Sequence, residues 1–425
     1  MQYHLPYDYL LPLEIPDKNL IGIFEAGQEK PASPPEKIVT KALKNPIGSP
    51  RLSELAGNAK QALILCDDNT RYTPAYHVLP HIIEELHTGG LTDDRIRILI
   101  ASGTHRLMTR DELTAKLGKS ILENFTVEQH HHDVKEELIP VGKKIGDVEF
   151  FINRRLKEAD LIIGVGNIVP HHNKGFSGGS TIILPGVSGG TDAIGTMHWL
   201  SLDCPVEEIL GVRDNTVRHL IDEVARKAGL NYIVNTIVNN DLEILYVVAG
   251  DPLTAHRKGT EIASQVFNVT ISRRADIVIF DAYGSDLDLW QANKGLNPAY
   301  VCMKQGAVVI LIADCPEGIC HNIREIRQYG FKDKKKLIEL HNKGILNPIV
   351  SHFLISVHRI VIERGRCIIV SRGISREDAE HVDLLYAKTP QDALEKAFAM
   401  KGTDASVIVL RHAGNICPKI QDTSL

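Results

Sequence analysis

The residue types best suited to chemistry are concentrated between Ala159 and Gly190. This stretch opens with the apolar run LII at 161–163 and continues into a polar loop that carries His171, His172 and Lys174. The loop ends in a glycine-rich run, GFSGGST, followed by a second apolar run. Glycine lets backbone N–H groups approach an anion closely, and histidine can bind a metal or transfer protons near neutral pH. The stretch therefore predicts a ligand-binding loop with acid–base groups at its mouth.

Two earlier segments have the same form, in which a short apolar run ends in a polar cluster. Residues 62–66 (ALILC) lead into DDNTR at 67–71, and residues 96–101 (IRILIA) lead into SGTHR at 102–106. In a parallel sheet the carboxyl ends of the strands meet at one edge, and ligands bind there. Asp, Asn, Ser and Gly are common in turns, so a single cluster of this kind does not by itself indicate a site. Three in succession predict one shared site.

The elements that position these clusters follow a regular alternation. Apolar runs of strand length alternate with segments of helical spacing, which predicts an α/β fold with a parallel sheet and helices on both of its faces. A second α/β unit is expected to begin near Ile271, with the hinge in residues 264–273. We therefore predict an N-terminal domain at 1–268 and a C-terminal domain at 269–425. In the C-terminal domain, the apolar pair at 361–362 is predicted to be a strand.

Composition restricts the class of protein. The chain has 425 residues, a net charge of −5, 43% hydrophobic and 24% charged residues, as is typical of a globular protein with two or three domains. No long basic run is present, so no nucleic-acid partner is expected. The sequence shows neither an apolar run of membrane-spanning length nor a signal-peptide pattern, and its seven cysteines form no CxxC pair. These features favour a cytoplasmic protein with reduced thiols and no membrane partner.

Five motifs, taken together and in order, resemble those of the nickel-dependent lactate racemase family, the nickel-pincer-nucleotide enzymes. The motifs are DNTR at 68–71, GTHR at 103–106, PH at 170–171, GFSGG at 175–179 leading to LPG at 184–186, and QANK at 291–294. The resemblance covers essentially the whole chain. It implies two α/β domains with mainly parallel sheets and an active-site cleft between them.

The resemblance also implies roles for particular residues. His105 and His171 resemble the two catalytic acid–base histidines, and His198 resembles the nickel ligand. Residues that resemble those bordering substrate and cofactor are Asp68, Arg71, Ser177, Gly178, Gly179, Thr181, Trp290, Gln291 and Lys294. The implied cofactor is a pyridinium mononucleotide that holds nickel through two sulfur-containing arms.

Two positions depart from the family pattern. Trp290 stands where a tyrosine is expected, and Thr181 stands where the family has a lysine that is covalently joined to the cofactor. Lys174 lies seven residues before Thr181 and is not a positional substitute. We therefore expect this chain to hold the nickel-pincer nucleotide without a covalent bond.

The function implied by the resemblance is a racemase or epimerase that inverts C2 of a 2-hydroxy acid, either lactate-like or longer. A histidine on each face of the substrate would exchange the hydroxyl proton, while hydride passes to the pyridinium and back. The expected partners are the 2-hydroxy acid and, as further candidates, proteins that make the cofactor.

Two other classes of function remain as alternatives. One is a metal-dependent hydrolase or lyase with His105, His171 and His198 on a zinc-like ion. The other is a cofactor- or small-molecule-binding homologue without racemase activity. The histidine run at 130–132 is interpreted as a solvated surface, because adjacent side chains of an extended segment point to different sides.

Overall fold

The structure is a computed structural model, and it describes residues 2–320 and 323–421. Within these ranges the chain forms 21 strands, which we label in chain order. The strands are β1 Gln2–Tyr3, β2 Leu13–Glu14, β3 Leu20–Phe24, β4 Ala62–Asp67, β5 Ile96–Ala101, β6 Thr126–Gln129, β7 Leu138–Ile145, β8 Val148–Asn153, β9 Leu161–Asn167, β10 Pro170–His171, β11 Gly175–Phe176, β12 Ser188–Gly189, β13 Tyr232–Val238, β14 Ile244–Gly250, β15 Asn268–Ile271, β16 Ala275–Asp281, β17 Met303–Ile312, β18 Gly365–Val370, β19 Leu385–Tyr386, β20 Val407–Leu410 and β21 Cys417–Ile420.

The same ranges contain 16 α-helices and several shorter helical turns. The α-helices are α1 Pro35–Lys44, α2 Leu52–Ala56, α3 Ala75–Thr88, α4 Arg110–Leu117, α5 Lys119–Asn124, α6 Thr191–Trp199, α7 Val206–Ile209, α8 Thr216–Ala228, α9 Thr254–Phe267, α10 Leu289–Ala292, α11 Leu296–Cys302, α12 Arg324–Tyr329, α13 Lys334–Asn342, α14 Pro348–His358, α15 Arg376–His381 and α16 Pro390–Lys401. Turns of 3₁₀-helix span Asp93–Arg95, Lys135–Glu137, Arg154–Lys157, Gly179–Ile182, Asn293–Gly295 and Ala413–Asn415, and Arg359–Arg364 is a π-helix.

The chain divides into two compact units. The N-terminal unit comprises Gly27–Ser201 and Gly211–Val266, and the C-terminal unit comprises Met1–Ala26, Leu202–Leu210 and Phe267–Leu425. The crossing at residues 266/267 lies within the predicted hinge. The units differ from the predicted domains because residues 1–26 and 202–210 belong to the C-terminal unit, although they precede the hinge in sequence.

The N-terminal unit is built on a six-stranded sheet with the order β14-β13-β9-β4-β5-β6. All neighbouring pairs are parallel except β13 with β14, which are antiparallel. Strands β4 and β9 are buried along their whole length, and each is apolar up to its last residue, as is typical of central parallel strands. The predicted parallel α/β sheet is confirmed.

Helix α3 packs against one face of this sheet. Its buried residues recur at helical spacing: Ala75, Val78, Leu79, Ile82, Ile83 and Leu86. They share one core with alternate residues of β4, β5 and β9, among them Cys66, Ile100 and Val165. Every second residue of a strand faces the same side of the sheet. Cys66, Ile100 and Val165 therefore mark the side of β4, β5 and β9 that faces this core.

The C-terminal unit has a six-stranded sheet of its own with the order β19-β18-β17-β16-β20-β3, and every pair in it is parallel. The edge strand β3 comes from the first residues of the chain. Asp333 caps α13 as predicted, since its side chain accepts a hydrogen bond from the backbone N–H of Lys336 at 3.0 Å. Val361 and Ile362 do not form the predicted strand but lie in the π-helix Arg359–Arg364, because a short apolar run does not by itself distinguish a strand from a buried helix.

None of the helices in residues 2–320 and 323–421 is both long and apolar enough to cross a membrane.

Candidate active site

A row of polar side chains continues the core face of the N-terminal sheet at its carboxyl edge. Cys66, Ile100 and Val165 belong to the same core cluster on β4, β5 and β9. Two residues further along the chain from these come Asp68, Ser102 and Asn167, and all three line one cavity at this edge of the sheet. All three are buried. The clusters predicted to converge here do so because parallel strands end together.

Asp68 and His105 form the central pair of this row. The Asp68 carboxylate oxygen Oδ2 lies 2.7 Å from His105 Nδ1, and its Oδ1 accepts a 2.6 Å hydrogen bond from the Thr70 hydroxyl. Arg71 donates from NH1 to the Thr70 hydroxyl at 2.8 Å, which places its guanidinium beside the pair. Burial opposes ionisation of Asp68, but the charge and hydrogen bond of His105, the charge of Arg71 and the Thr70 hydroxyl together hold its pKa below the usual range.

An ionised Asp68 determines the ring chemistry of His105. A carboxylate only accepts hydrogen bonds, so Nδ1 of His105 carries the proton and donates it. In the neutral ring, Nε2 then has the lone pair. Asp68 therefore orients His105 as a base that acts through Nε2.

Asp67, the last residue of β4, is a structural neighbour of this pair. Its carboxylate lies 2.8 Å from the ammonium of Lys116 and accepts a 2.5 Å hydrogen bond from Thr73. Burial raises the pKa of Asp67, against the lowering effect of Lys116 and Thr73. These contacts tie the loop after β4 to helix α4.

The glycine-rich loop is fastened largely by its own hydrogen bonds. The Ser177 hydroxyl donates to the Asn167 carbonyl at 2.8 Å and accepts from the Val169 N–H at 3.0 Å. The Gly179 N–H donates to Asn235 Oδ1 at 2.6 Å, and the Thr181 hydroxyl donates to the Gly178 carbonyl at 3.0 Å. The Ser177 hydroxyl and the Gly179 amide, which were predicted to contact a ligand, thus brace the loop.

His171 and His198 are linked through Asn173. The backbone N–H of Asn173 donates to His171 Nδ1 at 3.2 Å, and its side-chain nitrogen lies 3.1 Å from His198 Nδ1. Nδ1 of His171 is therefore an acceptor, and the neutral ring carries its proton on Nε2. His172 stacks on His171 with ring centroids 4.7 Å apart.

One cavity at the sheet edge collects most of the predicted residues of this unit. Asp68, Arg71, His105 and the loop residues Ser177, Gly178, Gly179 and Thr181 line it, whereas His171 and His198 are not among its lining residues. Lys174 also lines the cavity and is only 3% exposed. A buried ammonium and the Arg71 guanidinium suit an anionic ligand.

Trp290, Gln291 and Lys294 lie in the C-terminal unit, where α10 and the following 3₁₀ turn carry them. Asp288 caps α10 by accepting from the Gln291 N–H at 2.8 Å. Trp290 stacks on Phe353 with ring centroids 4.4 Å apart. Oε1 of Gln291 is buried and has no hydrogen-bond partner among the residues that the structure describes.

The solvated surface predicted for residues 130–132 is wrong for His130, which is only 1% exposed. Its Nε2 lies 2.9 Å from the Ser188 carbonyl, and its Nδ1 lies 3.1 Å from the Asn153 side chain. Burial lowers the pKa of His130 to about 4, against the opposing effect of the Ser188 carbonyl. The prediction failed because the partners of His130, Ser188 and Asn153, are remote in sequence, and no local pattern reveals such contacts.

Three residues of the site were given no role of their own from the sequence: Asn167, Asn173 and Ser102, the last of which lies in the predicted SGTHR cluster. Leu161, Ile163 and Val165 are core residues at every second position of β9, and Asn167 takes the next such position. A polar residue at a position where the pattern calls for a core residue could have indicated a site. Ser102 occupies the same phase after β5. Asn173 had no comparable signal, since its role depends on the fold of the loop.

Sequence comparisons place the whole chain in one family. The profile of the family described as Lactate racemase N-terminal domain matches residues 8–209, and that of Lactate racemase C-terminal domain matches residues 270–416. A lactate racemase from Thermoanaerobacterium thermosaccharolyticum is 30% identical over 410 residues, which cover 94% of this chain and 95% of that protein. The chain belongs to the lactate racemase family. The resemblance drawn from the five motifs is confirmed, as is the predicted class of enzyme, an isomerase.

Further relatives agree with this assignment. A lactate racemase from Lactiplantibacillus plantarum is 29% identical over 416 residues, covering 96% of this chain and 97% of that protein. The lactate racemase apoprotein of T. thermosaccharolyticum superposes with a TM-score of 0.89 at 28% identity, covering 99% of this chain and all of that one. A Thermotoga maritima protein, 22% identical, shares the fold with a TM-score of 0.73 over 91% of this chain and 98% of its own.

Proposed function

We propose that this member of the lactate racemase family is a racemase that inverts C2 of lactate or of a closely related 2-hydroxy acid. The observation that carries the proposal is the Asp68–His105 pair at 2.7 Å, in the cavity at the carboxyl edge of the sheet. The full-length likeness to named lactate racemases supports the choice of substrate.

His105 and His171 supply complementary proton chemistry. With Nδ1 held by Asp68, His105 Nε2 is the base that takes the proton of the C2 hydroxyl. With Nδ1 accepting from the Asn173 N–H, the neutral His171 ring carries its proton on Nε2 and donates a hydrogen bond from there. It serves as the acid once Nδ1 is protonated, which gives up the hydrogen bond from Asn173. A racemase needs both functions, and the two rings exchange roles when the opposite enantiomer is the substrate.

The charges in the cavity suit the substrate carboxylate or a cofactor phosphate. Arg71 and Lys174 line the wall, and Lys174 is almost completely buried. Attraction between opposite charges is stronger in such a cavity than in bulk water. We assign Arg71 and Lys174 to anion binding.

The residues present fit a nickel-pincer nucleotide. In residues 2–320 and 323–421, no three His, Cys, Asp or Glu side chains are grouped so as to hold a metal ion. His198 therefore suits a metal that brings its other ligands with a cofactor, and it does not form a three-histidine ion site with His105 and His171. When bound, such a nucleotide supplies an electron-poor pyridinium that accepts hydride from C2. His198 would hold the nickel, and the loop from Ser177 to Thr181 would hold the nucleotide.

We further propose that the nucleotide is held reversibly. Thr181 has no amine, and its hydroxyl is already bonded to the Gly178 carbonyl. Intact-mass spectrometry of protein from cells that make the cofactor should show the unmodified chain after denaturation and an added mass under native conditions. Because Lys174 lines the same cavity, an adduct on Lys174 that survives denaturation would contradict reversible binding.

The activity itself is tested by following a single enantiomer. Protein produced in nickel-supplied cells that make the cofactor is incubated with L-lactate, and D-lactate is measured by chiral chromatography. We expect the mixture to approach equal amounts of the two enantiomers. Protein that carries nickel and nucleotide but forms no D-lactate would exclude lactate as the substrate, and other 2-hydroxy acids would then be assayed in the same way.

A further inference from the structure

Two buried side chains at the edge of the sheet have polar atoms without partners. Within residues 2–320 and 323–421, neither Nδ2 nor Oδ1 of Asn167 makes a hydrogen bond, and neither does the hydroxyl of Ser102. Asn167 is 2% exposed and Ser102 is 1% exposed. A buried polar group left without a hydrogen bond costs about 1–3 kcal/mol, so native proteins keep few of them. Such a cost is tolerated where a ligand supplies the missing partner.

Both side chains belong to the catalytic cavity. Asn167 and Ser102 line the same cavity as Asp68 and His105. Asn167 is the last residue of β9 and pairs in register with Thr236 of β13. Its position is therefore determined by the central part of the sheet rather than by a mobile loop.

The unpaired atoms define the chemistry of the missing partner. A carboxamide offers a donor at Nδ2 and an acceptor at Oδ1. A carboxylate or a phosphate only accepts hydrogen bonds and would leave Oδ1 unpaired. A hydroxyl group both donates and accepts, so neighbouring hydroxyls on one ligand satisfy Asn167 completely and the Ser102 hydroxyl as well.

We propose that Asn167 and Ser102 form a subsite for the hydroxyl groups of a polyhydroxylated ligand segment. The segment belongs either to a 2-hydroxy acid that carries hydroxyls beyond C2 or to the sugar of a mononucleotide. The first case rests on the proposed racemase function and deepens it, because it assigns substrates longer than lactate.

The test measures ligand binding and protein stability, not turnover. Wild type and Asn167→Leu are compared by calorimetric titration and thermal unfolding with D-gluconate, L-lactate and nicotinic acid mononucleotide. D-gluconate shares the carboxylate and C2 hydroxyl of a 2-hydroxy acid and adds hydroxyls on C3 to C6. Nicotinic acid mononucleotide instead places a ribose phosphate on a pyridinium ring.

Asn235→Leu is the matched control for stability. Asn235 lines the same cavity, but its Oδ1 accepts from the Gly179 N–H at 2.6 Å and its Nδ2 donates to the Val234 carbonyl at 3.1 Å. We expect Asn235→Leu to lower the melting temperature. Asn167→Leu should leave it unchanged or raise it, because leucine of similar size removes two unpaired polar atoms.

The results identify the source of the hydroxyls. A loss of about tenfold or more in D-gluconate affinity in Asn167→Leu, with L-lactate affinity retained, indicates a substrate subsite; the same loss for nicotinic acid mononucleotide indicates a nucleotide subsite. Ser102→Ala should weaken the same probe. The proposal is overturned if neither polyhydroxylated probe binds wild type, or if binding does not depend on Asn167. It is also overturned if Asn167→Leu destabilises the protein as much as Asn235→Leu does, because Asn167 would then be paired with a structural water.

The outcome is independent of the racemase assay. Asn167-dependent binding of D-gluconate without racemisation would retain the subsite and remove the proposed function. Racemisation of lactate by a protein whose polyhydroxylated ligands ignore Asn167 would retain the function and remove the subsite.

Discussion

His105 and His171 are held in opposite protonation patterns by their immediate neighbours. The Asp68 carboxylate accepts from Nδ1 of His105, and the Asn173 N–H donates to Nδ1 of His171. The two neutral rings are therefore different tautomers, with the proton of His105 on Nδ1 and that of His171 on Nε2. An enzyme that works on both enantiomers needs this difference to reverse during turnover, since each ring must both take and give a proton.

The first prediction follows from these two roles. His105→Ala or His171→Ala should reduce lactate racemisation by roughly 10²–10⁴-fold or more, because each variant loses one acid–base group. His219→Ala, on the exposed face of α8, is the control and should retain activity. Turnover is measured with cofactor-loaded protein from both enantiomers, and melting temperatures confirm folding. Near-normal activity of either histidine variant would refute the two-base assignment.

The second prediction concerns pH and the buried His130. Burial lowers its pKa from 6.5 to about 4 in the folded protein. Between these values the unfolded chain binds the proton and the folded protein does not, so stability falls as pH decreases from 6.5 towards 4. The shift corresponds to roughly 3 kcal/mol over this window.

Chemical denaturation at several pH values tests this. We expect His130→Gln to flatten the fall in unfolding free energy between pH 6.5 and 4, even if the variant is less stable at neutral pH. The exposed His219→Gln controls for the loss of one histidine. An unchanged slope in His130→Gln would show that His130 is protonated in the folded protein.

At the scale of elements, the glycine-rich loop takes its shape from positions that exclude a side chain. Gly178 has φ of 74°, and a Cβ there would lie 2.7 Å from Ile168 Cγ1 and 2.9 Å from the Asn167 carbonyl oxygen. The backbone at Gly178 therefore packs directly against the end of β9. This contact carries the loop over the cavity and aligns Gly179 with Asn235.

The third prediction is that Gly178→Ala destabilises the N-terminal unit. The left-handed backbone alone costs roughly 1–3 kcal/mol for a residue with a side chain, and the contact with the Asn167 carbonyl adds to this. Gly90→Ala is the matched control, because Gly90 has φ of 96° but no atom within 4 Å of the position that an alanine Cβ would take. Chemical unfolding should show a larger loss for Gly178→Ala than for Gly90→Ala; equal losses would mean that the loop adapts freely.

At the scale of the whole molecule, the first residues of the chain complete a unit formed mainly by the last ones. Strand β3 pairs with β20, and Tyr3, Tyr7, Leu13 and Ile15 share a core with residues of β16, β17 and β18. Residues far apart in sequence thus stabilise one another. The C-terminal unit requires the N-terminal segment for its edge strand and part of its core.

The fourth prediction tests this membership with a matched pair. Leu13 is 1% exposed and Leu11 is 80% exposed. Leu13→Ala should destabilise the C-terminal unit by about 2–5 kcal/mol, as is usual for a buried leucine, while Leu11→Ala should have little effect. In a Trp199→Phe background the remaining tryptophan, Trp290, reports on this unit by fluorescence during urea unfolding. Equal midpoints for the two variants would show that the segment does not contribute to the core.

The α/β class, the central strands and the family could all be read from the sequence. Buried parallel strands are recognisable because both of their faces need apolar side chains, as in Ala62–Asp67 and Leu161–Asn167. The motifs around Asp68, His105 and Gly178 were visible because turn and loop chemistry at strand ends depends on local residue types. The meeting of the polar clusters at one edge of the sheet also followed from the parallel direction of the strands.

Which atoms in those clusters already have hydrogen-bond partners could be seen only in the folded chain. Asn167 and Asn235 have the same side chain but different surroundings. Asn235 accepts a hydrogen bond from the Gly179 N–H, whereas Asn167 lines the cavity with both polar atoms unpaired among the described residues. The burial of His130 and the exchange of residues 1–26 into the C-terminal unit likewise depend on segments remote in sequence. Local pattern reports the preference of a segment, whereas hydrogen-bond partners and burial are set by whatever the folded chain brings alongside it.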